Sequence, residues 1–552
     1  MKTIRLVLAF GLLASFVSAQ ALKADVVLIN GKIRPMDTAN STFAAVAIKG
    51  NSIAAVGKNA DILLLADSST KIIDLKGKTV IPGFNDAHVH FSETGAQLSS
   101  VDLRDARTPQ EFVERIRVFA SKLPKGRWIL GGQWDHENWT PSNLPTAALI
   151  DAATPDHPVF INRLDGHMSL ANSLAMRLAG IDKNVKEVAG GEIVRDVGGD
   201  PTGIFKDAAM VYIEKVIPAL SFEQQIEAAQ AATDHAASLG VTSVQDMSAG
   251  TNIGAYQELL RRGTLKTRVY GCSPMDDYKR WENTGVRSAF GDAMLRVGCL
   301  KSYADGSLGS TTAWFFDPYL DAPNSRGLAM ADVETTMRQK IRDADKAGLQ
   351  IRIHAIGDRA NAAILDHFKA VDSTNGAADR RFTIEHAQHV RLDDLKRFAG
   401  QKVVASMQPF HIIDDGRWAW KRLDEKSLKG TYAFRTILDS GGVLAFGSDS
   451  PVAPLNPLWG VYGAVTRRTL DDKNPGGWIP EQKISVVETV RAFTFGSAFA
   501  EFQEKVKGTL EVGKLADIVV LSDDIFSIDP VKIRDVKVIM TFVDGRLVYE
   551  AK

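Results

Sequence analysis

Short apolar stretches recur through the central part of the chain, and segments with helical spacing of apolar residues separate several of them. Near-continuous apolar stretches are typical of strands that are buried on both faces of a parallel sheet. Eight such stretches occur, at residues 79–88, 241–247, 267–273, 296–305, 349–355, 381–387, 402–409 and 443–450. Helical spacing is clearest in residues 222–238, 331–346 and 360–371. Eight buried strands alternating with helices predict a (β/α)8 TIM barrel, an α/β fold.

The two chain ends follow a different pattern, in which short β-branched runs alternate with turn signals such as Asn30-Gly31 and Asp544-Gly545. This pattern is typical of antiparallel hairpins. Neither end holds enough strands for an independent sheet, so we predict that the two ends together form one small β-sandwich domain. The predicted boundaries are residues 22–80 with 505–552 for this domain, and 81–504 for the barrel between its halves.

Roughly 150 residues separate the first two predicted barrel strands, far more than an ordinary connection between a strand and the next element of a barrel holds. We therefore predict an inserted subdomain at about residues 97–220, packed over one face of the barrel. This segment is rich in tryptophan, including Trp128, Trp134 and Trp139.

The first residues have the layout of a secretory signal peptide. Lys2 and Arg5 precede an apolar run that ends in Val17-Ser18-Ala19, and the run is short for a bilayer span. We predict that residues 1–19 are removed and that the protein is exported, to a bacterial periplasm, without stable membrane insertion.

Composition limits the range of partners. Lys plus Arg and Asp plus Glu balance at 66 each, which gives no electrostatic case for nucleic acid or an anionic membrane. The expected partner is a small-molecule substrate, and a homodimer is left open. The two cysteines, Cys272 and Cys299, lie in apolar stretches, so we expect small buried thiols, with one disulfide as the alternative.

Polar residues come late in five of the predicted barrel strands, after the apolar run. The carboxyl ends of barrel strands meet on a single face, where TIM-barrel enzymes have their active sites. Alone, each residue has an ordinary structural explanation, but together they favour a metal site. Histidine and carboxylate ligands suit Zn²⁺, with Mn²⁺, Fe²⁺ or Co²⁺ as alternatives. The late polar residues are His88, His90, Lys301, His354, His386 and Asp449.

The motifs around these residues, in this order, resemble the amidohydrolase superfamily. Within it the chain is similar to amidohydrolase family 3, the YtcJ-like branch that includes N-substituted formamide deformylase. The resemblance covers residues 24–549. The motifs that carry it are PGFNDAHVH (82–90), a lysine on the fourth strand, RIHAIGD (352–358), TIEHAQH (383–389) and GSDSPV (447–452).

The resemblance implies a site with one or two metal ions. His88 and His90 would bind one metal together with Asp449. His354 and His386 would bind a second. Lys301 would bridge the two as an N-carboxylated lysine, although it can also remain a plain amine.

Metal-activated water attacking an amide-like substrate is the expected chemistry, with cleavage of a C–N bond. Asp449 is our candidate for the general base that takes the proton from water and passes it to the departing nitrogen. His411 is the candidate donor to the oxyanion. His167 and Trp134 are candidates for substrate contact.

This reading makes the protein an amidohydrolase that acts on carbon–nitrogen bonds other than peptide bonds, with an N-substituted formamide among the candidate substrates. Two alternatives stay open. The same barrel can serve a metal-dependent esterase or lactonase, or an exported binding or regulatory protein that has lost turnover.

Overall fold

A computed structural model of the protein describes residues 23–136, 139–163, 168–188, 191–250, 252–309 and 311–552. The predicted leader, residues 1–19, and His167 lie outside the described residues. Within the described part of the chain, no helix combines the length and the apolar character needed to cross a membrane.

The N-terminal residues form six short strands and one helix. Four of these strands make a sheet of order β4-β3-β1-β5, in which β1 pairs antiparallel with β3 and parallel with β5. The elements are β1 (Val26–Ile29), β2 (Lys32–Ile33), β3 (Ala45–Lys49), β4 (Ser52–Gly57), α1 (Asn59–Leu63), β5 (Lys71–Asp74) and β6 (Thr79–Pro82).

The first barrel strand, β7 (Phe84–Val89), follows β6 after the single residue Gly83, and α2 (Phe91–Leu98) follows β7. Glycine is required at this crossing because a Cβ on Gly83 would lie 2.1 Å from Thr242 Oγ1. The predicted stretch 79–88 is therefore two strands in two different sheets. The crossing residue lets the chain leave one sheet and enter the other without a loop.

The segment between the first two barrel strands contains a six-stranded sheet of order β12-β13-β11-β10-β9-β8. Its strands are β8 (Val101–Asp102), β9 (Gly131–Trp134), β10 (Phe160–Arg163), β11 (Met168–Ala171), β12 (Gly191–Arg195) and β13 (Pro201–Asp207). Its helices are α3 (Pro109–Ala120), α4 (Ala147–Asp151), α5 (Ser173–Leu178) and α6 (Val211–Glu214). Phe112, Trp134 and Ile161 belong to a buried apolar cluster within this segment.

The remaining seven barrel strands pair in parallel and in chain order after β7, and β16 (Phe290–Gly291) adds an antiparallel pairing to β17. They are β14 (Val241–Asp246), β15 (Arg268–Pro274), β17 (Leu295–Tyr303), β18 (Gln350–Ala355), β19 (Thr383–His386), β20 (Val404–Met407) and β21 (Val443–Phe446). Backbone hydrogen bonds of 2.8 Å from Asp449 N to His88 O and from His90 N to Ser450 O link the last strand to the first. The predicted TIM barrel is confirmed.

Helices separate the barrel strands. The predicted helix 222–238 matches α7, whereas α10 begins at Met337 because residues 331–336 form turns, and α11 is longer than predicted. The helices are α7 (Phe222–Ser238), α8 (Ile253–Arg262), α9 (Tyr278–Thr284), α10 (Met337–Lys346), α11 (Asp358–Asn375), α12 (Leu392–Gly400), α13 (Pro409–Asp415), α14 (Glu425–Leu428), α15 (Phe434–Asp439), α16 (Pro457–Thr466), α17 (Val486–Arg491) and α18 (Ser497–Ala500).

Strands from both chain ends share one sheet. The C-terminal strands β22 (Ile518–Leu521), β23 (Val538–Val543) and β24 (Arg546–Glu550) join β2 and β6 in the order β2-β6-β22-β23-β24. Residues of this sheet and of the N-terminal sheet pack in one apolar cluster. The boundaries given above for a β-sandwich domain stay a prediction.

The expectation of two free thiols is wrong. Cys272 on β15 and Cys299 on β17 form a disulfide, and their Cα atoms are 4.5 Å apart. The two residues are register partners on neighbouring parallel strands, which brings them within the distance that a disulfide needs. That register is a property of the folded sheet and cannot be read from two isolated apolar stretches.

Candidate metal centre

Six polar residues converge at the carboxyl ends of the barrel strands. Four of them end or lie late in strands, namely His88, Lys301, His354 and His386, and their side chains reach the same mouth of the barrel because all the strands run in one direction. His90 precedes α2, and Asp449 follows β21.

Two of these residues adopt left-handed backbone conformations, His386 at the last position of β19 and Asp449 in the turn after β21. His386 has φ = 72° and Asp449 has φ = 63°, values that residues other than glycine adopt uncommonly. In a regular strand, neighbouring side chains point to opposite faces. The turn at His386 releases that constraint, so Glu385 and His386 both lie beside His88.

His88, His386 and Asp449 form the tightest group, in which one ligand atom from each residue lies within 4.8 Å of the others. Asp449 Oδ1 is 3.3 Å from His88 Nε2 and 3.4 Å from His90 Nε2. The ring centroid of His354 is 4.5 Å from that of His386. The structure thus brings together the histidines predicted for both metal positions.

A hydrogen bond to one ring nitrogen orients each central histidine. His88 Nδ1 lies 2.5 Å from Glu385 Oε2, and His386 Nδ1 lies 2.8 Å from Gln408 Oε1. With Nδ1 engaged in this way, the Nε2 atom is the one left for a ligand. His354 is reversed, since its Nε2 lies 3.1 Å from the carbonyl oxygen of Gly306.

Burial and charge set the protonation states. Burial lowers the pKa of His354 to about 3 and holds that of His386 well below 6.5, so both rings are neutral, the form that binds metals. Burial alone would raise the pKa of Asp449, but the neighbouring histidines, His88 foremost, together outweigh burial, hold the pKa well below 3.8 and keep the carboxylate ionised. In His88 the carboxylates Glu385 and Asp449 outweigh burial and raise the pKa.

Lys301 is buried and lies among these groups. Its Nζ atom is 4.1 Å from the centre of the Tyr303 ring and has no hydrogen-bond partner among the described residues. Burial lowers the pKa of Lys301 to about 8, although Glu385 and Asp449 oppose the shift. The amine is therefore closer to its neutral form at pH 7 than an exposed lysine is.

The residues present fit a divalent metal. Buried polar atoms are ordinarily paired, yet within the described part of the chain His88 Nε2, His90 Nδ1, Lys301 Nζ and His411 Nε2 accept or donate no hydrogen bond. Imidazole nitrogens and a carboxylate converging within a few ångströms are the ligand chemistry of Zn²⁺ and similar ions.

The predicted catalytic residue His411 lies on α13, one turn beyond β20, rather than at the end of that strand. Its Nε2 atom is 3.9 Å from Asp449 Oδ2. The helix, not the strand, therefore carries this histidine to the edge of the cluster.

Trp134, predicted to contact the substrate, lies instead in the core of the inserted segment. Its side chain is fully buried, and Nε1 donates to the carbonyl oxygen of Ile161. The ring packs against Phe112 in the core of the inserted segment and offers no surface to a substrate.

Sequence reasoning missed the pair Glu385 and Arg352. Both residues are fully buried, and Arg352 Nε donates to Glu385 Oε1 at 2.5 Å. Burial opposes ionisation of Glu385, but Arg352, His88 and Lys301 together outweigh it and lower the pKa to about 2. The available signal was an arginine and a glutamate inside otherwise apolar strands, where an unpaired charge is costly.

Comparison with known proteins gives consistent matches over most of the chain. The model described as the amidohydrolase family matches residues 71–549. LONG AFTER FAR-RED 3 of Arabidopsis thaliana is 36% identical, over 97% of this chain and 94% of that protein. YtcJ of Bacillus subtilis, whose name marks it as a proposed amidohydrolase, is 31% identical over 87% of this chain and 91% of its own.

Two further matches bear on the site. N-substituted formamide deformylase of Arthrobacter pascens is 27% identical over 95% of this chain and 98% of its own. The crystal structure of an uncharacterized metal-dependent hydrolase from Pyrococcus furiosus has a TM-score of 0.76 and 31% identity, covering 91% of this chain and all of that one. The resemblance expected from the motifs is confirmed.

Proposed function

The chain belongs to the amidohydrolase family and is a metal-dependent hydrolase, and we propose that it cleaves the C–N bond of a non-peptide amide. The observation that carries the proposal is the group of His88, His386 and Asp449 at the barrel mouth, whose ligand atoms lie within 4.8 Å of one another. The deformylase relative, which by its name acts on N-substituted formamides, supports an amide as the substrate class.

We assign the metal ligands as expected from the family. His88, His90 and Asp449 would hold one ion, and His354 and His386 a second, with Zn²⁺ as the metal. A bound divalent metal lowers the pKa of a coordinated water and polarises the scissile carbonyl. N-carboxylation requires a neutral amine, and the pKa of Lys301, about 8, gives it a larger neutral fraction than an exposed lysine has. After carboxylation, Lys301 would bridge the two positions.

The chain's own residues handle the proton. Asp449 is ionised and faces the cluster, so its carboxylate accepts the proton of the attacking water and returns it to the departing nitrogen. His411, 3.9 Å from that carboxylate, is placed to donate to the oxygen of the carbonyl as negative charge develops there. His167, outside the described residues, keeps its proposed role in substrate contact.

The leader and the disulfide bear on where the protein acts. We propose that residues 1–19 direct export to a bacterial periplasm, and the disulfide between Cys272 and Cys299 supports an oxidising compartment. The partner is a small-molecule amide, not nucleic acid, and a homodimer is part of the same proposal.

A substrate panel combined with metal analysis tests this function. The protein, loaded with Zn²⁺, is offered N-formyl, N-acyl and cyclic amides beside lactones, carboxylic esters and phosphoesters. We expect amide hydrolysis, one or two zinc ions per chain, and loss of turnover in Asp449→Asn. Hydrolysis confined to esters or lactones would replace the C–N assignment, and tight metal binding without any turnover would favour a binding or regulatory protein.

A further inference from the structure

A cavity of about 670 Å³ opens beside the metal cluster at the carboxyl ends of the second, third and fourth barrel strands. This volume is typical of small-molecule sites, which occupy roughly 300–1,000 Å³. The walls are mainly apolar, and the side chains that form them include Met247, Ile253, Pro274, Trp281 and Tyr303.

Two residues connect the cavity with the cluster. Lys301 and Tyr303 line it, and the Tyr303 ring centroid lies 5.4 Å from that of His354. A group bound against Tyr303 is therefore about one ring away from the atoms proposed to hold the metal.

The cavity lies across the mouth from the groups that handle the proton. Its lining comes from the ends of β15 and β17, the third and fourth strands in barrel order, and from the segments that follow β15 and the second strand, β14. His411 follows β20, the seventh strand, and Asp449 follows β21, the eighth. In a barrel of eight strands, the third faces the seventh and the fourth faces the eighth.

This placement determines which side of an amide faces Asp449 and which side faces the cavity. The departing nitrogen must reach Asp449, because that carboxylate returns the proton to it. The group on the other side of the carbonyl carbon then points away from Asp449, toward the cavity. Attack of water forms the C–O bond, the C–N bond breaks, and the water proton leaves with the amine, so the acid product keeps the group in the cavity.

We infer that this cavity binds the acyl side of the substrate. The enzyme is then specific for amides that carry a bulky apolar acyl group. The inference rests on the proposed amide hydrolysis with Asp449 as the proton donor to the amine. A formyl group, whose carbon carries only hydrogen, would leave the cavity without a ligand group. The substrate class therefore differs from the one named for the deformylase relative.

The test compares two amides of one amine, formanilide and 2-phenylacetanilide, so that only the acyl group changes. In the wild-type enzyme we expect kcat/KM to be at least roughly tenfold higher for the phenylacetyl amide, since burial of a phenyl ring in an apolar pocket favours binding. Ile253→Trp, which fills the cavity, should lower that ratio about tenfold or more. Trp281→Ala, which removes one wall, should also lower it.

A matched control is Leu178→Trp, on an exposed position of the inserted segment, whose substrate ratio should equal that of the wild type. Calorimetric binding of phenylacetate, the acid product, gives a readout that does not depend on turnover. It should weaken in Ile253→Trp and in Trp281→Ala but not in Leu178→Trp. A wild-type preference for formanilide would overturn the acyl assignment while supporting amide hydrolysis. Failure to hydrolyse either amide, with metal bound, would instead overturn the proposed function.

Discussion

The two ends of the barrel both bury charged side chains, but only one end pairs each charge with an opposite one. At the amino ends of the strands, Arg268 binds Asp517 through two hydrogen bonds of 2.8 and 2.9 Å. Nearby, Glu501 forms ion pairs with both Arg296 and Lys507. These contacts join the barrel to the C-terminal segments that enter the terminal sheet.

At the carboxyl ends, buried polar atoms lie close together, but several of them form no hydrogen bond within the described part of the chain. Nitrogen atoms of His88, His90 and Lys301 lack hydrogen-bond partners among the described residues. Leaving such atoms unpaired costs free energy, which a bound ligand can recover. Buried charge by itself therefore does not indicate a ligand-binding site. A group of buried polar atoms that face one another without hydrogen bonds does indicate one.

Removal of one carboxylate from each end of the barrel should have the largest effects. Asp449→Asn should lower kcat/KM by roughly 10³-fold or more, because it removes both a ligand and the proposed base. Its free energy of unfolding without metal should change little. Asp517→Asn should do the reverse, with a loss of about 3–5 kcal/mol in stability, because Arg268 is left buried without its main partner.

The measurements are steady-state kinetics on the amide panel and denaturant unfolding of both variants. Asp517→Asn should keep the wild-type kcat/KM per folded molecule. If this variant instead lost turnover while staying folded, the division of labour between the two ends would be wrong.

The disulfide lies just below the metal cluster, and we expect it to stabilise the fold as the ion pairs at the amino ends of the strands do. Cys299 lies two residues before Lys301 on one strand, so their side chains share a face. The double variant Cys272→Ala/Cys299→Ala should lose roughly 3–4 kcal/mol of stability, from release of a loop with a sequence separation of 27. Unfolding of the wild type with and without a reductant measures the same quantity, and the double variant should not respond to the reductant.

The sequence predicts the barrel and the ligand candidates because both depend on local patterns. Apolar runs mark the strands, and the position of His88, His354 or His386 within a run places it at the barrel mouth. Pairing across strands is not a local property, so the disulfide and the partnership of Glu385 with Arg352 could not be predicted. Trp134 was misjudged for the same reason, since an aromatic residue in a pocket and one in a core have the same local sequence pattern.

The same substitution, glutamate to glutamine, can be made at one buried residue at each end of the barrel. Glu385→Gln weakens the hold on His88 Nδ1, and we expect metal affinity to fall about 10–100-fold, as is usual when the partner of a metal-binding histidine is changed. Glu501→Gln, at the other end, removes an equally buried carboxylate whose side-chain partners among the described residues are Arg296, Lys507 and Asn85. Competition with a chelating indicator should show unchanged zinc affinity in Glu501→Gln. Equal weakening in both variants would mean that loss of stability, not ligand orientation, lowers the affinity.

The smallest expected effect concerns acid. His389, just beyond β19, is fully buried, and burial lowers its pKa from 6.5 to about 3. Between these two values the unfolded chain binds a proton that the folded protein does not, so stability is lost as pH falls below 6.5. For Asp517, burial is outweighed by Arg268 and the pKa lies below 3.8, so its contribution to stability is lost only in stronger acid.

From pH 7.5 to 5.5, His389→Asn should therefore lose about 1 kcal/mol less stability than the wild type. Asp517→Asn should follow the wild-type slope over this range, because its carboxylate is ionised in both states, and a flattened slope in that variant would contradict the assignment. Denaturant unfolding of the metal-free proteins at the two pH values measures both slopes, and their difference separates neutral buried imidazole at the mouth from paired carboxylate at the opposite end.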